Sequence, residues 1–375
     1  MEYIHNYINS DNVDSKLYKL LENCKNGQLD EVKSIYKINP TINISYGNEE
    51  IFRKTCLNGQ LDVAKWLLEI KPNIDISAHN EYAFRGSCRM GHLHLAKWLL
   101  EIKPTIDINI DNEHAFRTSC VNGHLDVAKW LLEIKPMIDI NVQSENYFEY
   151  KNTAFSKSCE NGHLDVAKWL LEIKPTIDIS AEDEEAFRWS CHNSHLHVAK
   201  WLLEIKPTID ISIEHEEAFR LSCFKGHLHV AKWLYEIKPT IDISSLNEES
   251  FRWSCINGHL DIAMWLYEIK PDIDISSQEE EVFRLSCKNG HLHVAKWLLE
   301  IKPTINTSAK SEEALRNSCI EGNLHVAKWL YEIKQEYFIS KSDIFNEIFM
   351  KFIVFLLITI LIKSNEVDIR NQSYQ

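Results

Sequence analysis

Basic residues are in short supply in this chain, with 41 Lys and Arg set against 55 Asp and Glu for a net charge of −14. Neutralising a phosphate backbone needs clustered Lys and Arg, and here they are scattered at regular intervals. Nucleic acid is therefore excluded as the expected partner, and a basic protein fits the field better. A leader is not expected either. Met1 to Ser10 has no basic stretch followed by an apolar run, so no secretory signal is read and a cytoplasmic setting is expected. Also absent are a Gly-x-x-x-x-Gly-Lys phosphate loop, a Gly-x-Ser-x-Gly elbow, a kinase motif set, and the Cys-x-x-Cys and His-Glu-x-x-His signatures of metal sites. Carboxylates are plentiful, but nearly every one recurs at a fixed spacing, whereas an active site needs an asymmetric constellation. These absences predict a protein that is not an enzyme and takes no cofactor and no metal.

Proline is equally scarce, and its nine copies carry information. They stand at 40, 72, 104, 136, 175, 207, 239, 271 and 303, each sixteen residues after a cysteine. The ten cysteines fall at 24, 56, 88, 120, 159, 191, 223, 255, 287 and 319, eight intervals of 32 residues and one of 39. Gly follows three residues after each Cys, with Ser194 the exception, and Trp follows ten residues after from Trp66 to Trp329. A period of this length means stacked supersecondary units, ten of them.

Within one unit, Glu184 to Cys191 opens with acidic residues, which favour the positive end of a helix, and forms a short first helix. Asn193-Ser194, elsewhere Asn-Gly, breaks it, because the reversal needs left-handed geometry. Leu196, Val198, Ala199, Leu202 and Leu203 then make the apolar stripe of a second helix, which Pro207 ends. Ile209-Asp210-Ile211-Ser212 alternates apolar and polar, and an extended connector is expected there. Such a unit cannot bury its apolar face alone, but stacked copies can.

The segment Cys120 to Glu133, Cys-Val-Asn-Gly-His-Leu-Asp-Val-Ala-Lys-Trp-Leu-Leu-Glu, resembles the Ala-x-x-Gly-His-x-x-Val-Val-x-x-Leu-Leu segment of the ankyrin repeat. The resemblance covers residues 17 to 340. It implies an all-α, ankyrin-type solenoid of helix-turn-helix units with short extended connectors, and a non-enzymatic scaffold or adaptor that binds a protein through the concave first-helix face and the connector fingers. The uniform Trp-Leu-Leu-Glu-Ile-Lys-Pro block also resembles the tandem ankyrin proteins of giant amoeba-infecting, mimivirus-like viruses. Two departures stand out. Glu-Ala-Phe-Arg, as at Glu217 to Arg220, replaces the family's Thr-Pro-Leu-His, and Lys-Pro-Thr-Ile-Asp replaces its Gly-Ala-Asp turn.

Candidate chemistry has a plainer counterpart at each place. Adjacent helices lie about 8–10 Å apart, too far for a disulfide between neighbouring units, so the cysteines are expected as buried thiols. The pairs His92/His94, His195/His197, His227/His229 and His291/His293 point to different helix faces, and turn closure is expected rather than zinc. The nine repeated Trp are expected as an inter-unit packing ladder. Acidic runs such as Glu182 to Glu185, Glu214 to Glu217 and Gln278 to Glu281 serve helix starts, or form acidic fingertips for a basic partner, or both.

Where units differ from one another, stacking is not the constraint. Two first-helix positions vary, two before and one after each Cys. They supply the candidate partner-binding residues Arg89, Trp189, His192, Leu221, Phe224, Trp253, Ile256 and Lys288. Drift at tolerant surface positions is the rival reading. The 39-residue interval holds a seven-residue insertion within 142–153, where Tyr147, Phe148 and Tyr150 would arm a longer finger or sit in a tolerated loop.

Domain organisation follows: 1–47 as an N-terminal segment and atypical capping repeat, 48–340 as nine repeats, and 341–375 as a hydrophobic C-terminal helix. In that last helix, Phe352 to Ile362 has only Thr359 polar, short of the about 20 residues of a spanning helix. It is either a degenerate eleventh unit covering the stack or a tail anchor that would make the protein a membrane-tethered scaffold. The array is expected to act as a monomer.

Overall fold

The computed structural model describes residues 15–140 and 153–338. Among them are twenty helices and no strand. They belong to two compact units, the first drawn from Met1–Ser190 with His197–Thr208 and the second from Cys191–Leu196 with Ile209–Gln375. Each repeat supplies a leading helix, such as Ser245–Ile256, and a trailing helix, such as Leu260–Ile269. The insertion residues Tyr147, Phe148 and Tyr150 and the segment 341–375 lie outside the described residues. No helix among those described is long and apolar enough to cross a membrane.

The trailing helix forms where the apolar stripe is densest. In Leu61–Ile70, Val63, Ala64 and Leu67 are at most 1% exposed, and the helix stops where Lys71 donates its N–H to Leu67 O at 3.0 Å just before Pro72. Proline offers no further donor. The Asn-Gly reversal then does what its composition requires in the next turn along. Gly27, Gly59, Gly91, Gly123 and their counterparts hold φ between 71° and 84°, and Ser194, the one substitution, holds 69°.

The connector differs from the extended segment that its alternation predicts. In Lys238–Ser245, Ile241 N–H donates to Lys238 O and Ser245 N–H to Asp242 O, each at 3.1 Å, so the chain makes two successive turns. Asp242 Oδ1 accepts the Ser244 N–H at 2.9 Å, a side-chain mimic of a backbone turn. Both isoleucines face inward, at 5% and 7% exposure. Two-residue spacing of apolar groups arises here from two turns packed on the stack, not from a pleated strand.

Eight connectors enter the leading helix through three consecutive left-handed residues. Leu246, Asn247 and Glu248 have φ of 51°, 58° and 61°, and the same triplet recurs at 47–49, 79–81, 111–113, 182–184, 214–216, 278–280 and 310–312. Side chains with a Cβ resist this geometry by about 1–2 kcal/mol each. The arginine of the Phe-Arg pair holds it in place. Arg284 Nε donates to Glu279 O at 2.8 Å and its Nη2 to Gln278 O at 3.1 Å. Arg53, Arg85, Arg117, Arg188 and Arg220 repeat that fork on their own triplets.

Within each unit, repeats join through a fixed set of contacts. From Cys88 onward the serine before each Cys is fully buried and its Oγ lies 2.6–2.7 Å from the carbonyl four residues back. It is also 3.0–3.4 Å from the carbonyl of the preceding repeat's Cys, from Ser87 on Cys56 to Ser318 on Cys287. The tryptophans form the expected ladder. Six of them lie tilted on the phenylalanine of the repeat before, with ring centroids 6.1–6.4 Å apart in Phe84–Trp130, Phe116–Trp169, Phe155–Trp201, Phe219–Trp265, Phe251–Trp297 and Phe283–Trp329.

Candidate functional site

Residues spaced i, i+3 share a helix face, and the two variable positions of each leading helix are so spaced: Leu221 with Phe224, Trp253 with Ile256. In the second unit the Phe224 and Trp253 rings, from successive repeats, meet edge to face with centroids 5.5 Å apart. Trp253 Nε1 donates to Glu249 Oε1 at 3.2 Å, and Lys225 Nζ lies 5.6 Å from the Phe224 ring centre. Leu221, Phe224, Trp253, Lys288 and His192 are half-buried there. In the first unit Trp189 is half-buried and Arg89 exposed.

Ile256 corrects the expectation. It is 4% exposed, whereas Ile320, the same residue type at the same position in the last described repeat, is 66% exposed. The Ile256 side chain is thus buried within the stack and does not share the half-exposed face of Phe224 and Trp253. Lys288 is partly engaged, with its Nζ 3.8 Å from Glu321 Oε1. Lys225, two residues after Cys223, belongs to the face and was not marked by the sequence, because that position reads as part of the turn.

The stack uses the position after Cys through its backbone. The Phe224 carbonyl accepts from Asn257 Nδ2 at 3.0 Å and faces His259 Nε2 at 3.1 Å, and the Ile256 carbonyl accepts from Asn289 Nδ2 at 2.8 Å. Carbonyls are common to all residues, so the side chain is free to vary. This explains why a position so close to the stack carries Arg, Phe, Ile and Lys in turn.

The histidines have a structural use. Where a histidine follows the turn Gly, its ring lies against the preceding repeat's turn: a Cβ on Gly91 would stand 2.5 Å from His124 Nδ1 and one on Gly258 would stand 2.5 Å from His291 Nδ1. The second histidine of the pair reaches the same turn: His197 Nε2 is 3.1 Å from Gly162 O, and His293 Nε2 is 3.0 Å from Gly258 O. Burial lowers the affinity of His92, His163, His227 and His291 for a proton, with neighbouring histidines adding to it. All ten cysteines are buried free thiols, and burial pushes their pKa up, to about 12 at Cys24.

The acidic runs divide between two roles. The third left-handed residue is buried or half-buried and anchors one connector to the next. Glu216 Oε1 accepts the Asp242 N–H at 3.4 Å, Glu248 Oε2 the Asp274 N–H at 2.9 Å and Glu280 Oε1 the Asn306 N–H at 3.3 Å. Residues just before it, Glu182, Asp183, Glu214 and Glu279, are exposed. The connector aspartates Asp178, Asp210 and Asp272 are also open to solvent, with side chains 69%, 62% and 82% exposed.

No curated protein matches the chain. A family model described as ankyrin repeats, three copies, matches residues 52–144, 87–183, 118–215 and 155–248, overlapping windows that together run from 52 to 248. Ankyrin repeats are generally protein–protein interaction modules, and repeated helix pairs joined by turns and stacked at a 32-residue period are what such a match requires. On the match and the architecture together, this chain belongs to the ankyrin repeat family.

Proposed function

We propose that the chain is a non-enzymatic scaffold that binds a basic partner protein through its leading-helix face and connector tips. One observation carries the reading: at Leu221, Phe224 and Trp253 the stack leaves large side chains half-exposed on one face while using the backbone beneath them. Tryptophan and its aromatic neighbours are the side chains that most often anchor interfaces. Exposed carboxylates at Asp210, Glu214, Asp242 and Glu279 rim the connectors of the same unit and suit a cationic partner.

The test takes the protein that co-purifies with the intact chain and measures its affinity for variants. The double variant Phe224→Ala/Trp253→Ala is expected to weaken it by at least about tenfold, the loss of one or two anchors, with helical circular dichroism unchanged. Trp189→Ala reports separately on the first unit. Undiminished affinity in the double variant with an intact fold would remove the leading-helix face from consideration.

A further inference from the structure

The trailing helices are nearly copies of one another, and one of them breaks the copy at an exposed position. Lysine stands nine residues after the Cys in every repeat from Lys33 to Lys328, except that Met264 takes its place in Leu260–Ile269. That lysine works in two directions. Its ammonium lies over the Trp ring of the next repeat, with Lys97, Lys168 and Lys232 Nζ 5.8, 6.0 and 5.9 Å from the ring centres of Trp130, Trp201 and Trp265. It also stands four residues before a glutamate on the same helix face, and in the last described repeat Lys328 Nζ is 3.8 Å from Glu332 Oε1.

Met264 removes both interactions at once. The next ring of the ladder is Trp297, half-buried, with Phe251 tilted against it at 6.2 Å and Tyr267 perpendicular to it at 5.9 Å between centroids. Glu268 is exposed and has this methionine, not lysine, four residues before it. Leu260–Ile269 thus carries Asp261 and Glu268 and no basic residue. Met264 itself is 48% exposed, and an unbranched thioether adapts to whatever lies along it. An indole ring, a carboxylate and a flexible apolar surface together suit an ammonium carried on a four-carbon stem.

We propose that a lysine side chain of a partner polypeptide lies along Met264, with its ammonium between the Trp297 ring and the Glu268 carboxylate, where other repeats use a lysine of their own. That a partner protein carries this lysine rests on the scaffold reading above, to which it adds a contact on the trailing helices. The site itself does not rest on that reading, because a small molecule probes it.

The probe is Nα-acetyl-L-lysinamide, titrated into the full chain at constant ionic strength, with Nα-acetyl-L-norleucinamide as the uncharged control. The Met264 methyl and the Trp297 indole N–H are followed by NMR. A saturable shift with a dissociation constant on the order of tens of millimolar is expected for one exposed cation on one ring. The Trp265 indole, which already has Lys232, should stay still. Glu268→Gln should weaken binding about threefold, as for an exposed ion pair. Met264→Lys restores the residue of the other nine repeats, so the fold is kept, and it should abolish the shift at Trp297. No saturable shift in the wild type, an equal shift with the norleucine analogue, or a Trp297 shift undiminished by Met264→Lys would overturn the proposal. None of these results depends on Phe224 and Trp253, so the two readings can fail separately.

Discussion

Leu246 sits at φ 51° and ψ 49° with 48% of its surface exposed, a branched side chain in a conformation that suits glycine. Its cost is local and its side chain contributes little burial. Leu246→Gly is therefore expected to stabilise the protein by about 0.5–1 kcal/mol, seen as a higher urea midpoint, and a lower midpoint would refute the account of the triplet as strained. His114 makes a second point at this scale. Burial first, and the charges of Arg85 and Arg117 next, lower its pKa from 6.5 to about 4. The unfolded chain thus holds more protons on His114 between those values, so its contribution is fully present above about 6.5 and is lost as pH falls toward 4. His92, His163, His227 and His291 act in the same sense, while Glu113 and Glu185, whose carboxyls are raised by burial, act in the opposite one. His114→Gln is expected to flatten the fall in stability across this window by on the order of 1–2 kcal/mol after allowance for solvent screening, measurable by urea unfolding at pH 7 and pH 5.

The connector with its triplet is the element that departs most from a plain helical pair, and one side chain closes it. Arg284 is 4% exposed and binds Glu279 O, Gln278 O and the Glu313 carboxylate together. Lysine keeps the charge but has no planar fork to span two carbonyls and a carboxylate. Arg284→Lys is therefore expected to cost roughly 2 kcal/mol, nearly as much as Arg284→Met. A lysine variant with wild-type stability would show that charge alone suffices. The same element explains the divided acidic run: the third residue is turned inward by left-handed geometry and takes a backbone N–H of the following connector, leaving its predecessors in solvent.

For the molecule as a whole, a charge of −14 combined with exposed connector carboxylates sets up a negative field, and under the proposed function this field would steer the cationic partner. Raising ionic strength from 0.05 to 0.5 M is expected to slow association by about tenfold or more while changing dissociation far less; an association rate indifferent to salt would show that apolar contact alone drives binding. The period, the helix pair, the buried thiols, the Trp ladder and the turn glycines were all legible in the order of residues. Each is imposed by local geometry or by an identical neighbour at fixed spacing, and both are properties of the repeat itself. The arginine fork, the turn-built connector and the burial of Ile256 were not, because each depends on which groups of one repeat meet those of the next. An Ile-Asp-Ile triplet has the same spacing in a strand as in two packed turns, and Ile256 and Ile320 are the same residue until a following helix covers one of them. The chain order thus determined that this is a stack and where its units differ. Tertiary structure alone decided which of those differences face solvent, because a side chain's exposure depends on what the neighbouring repeats lay over it.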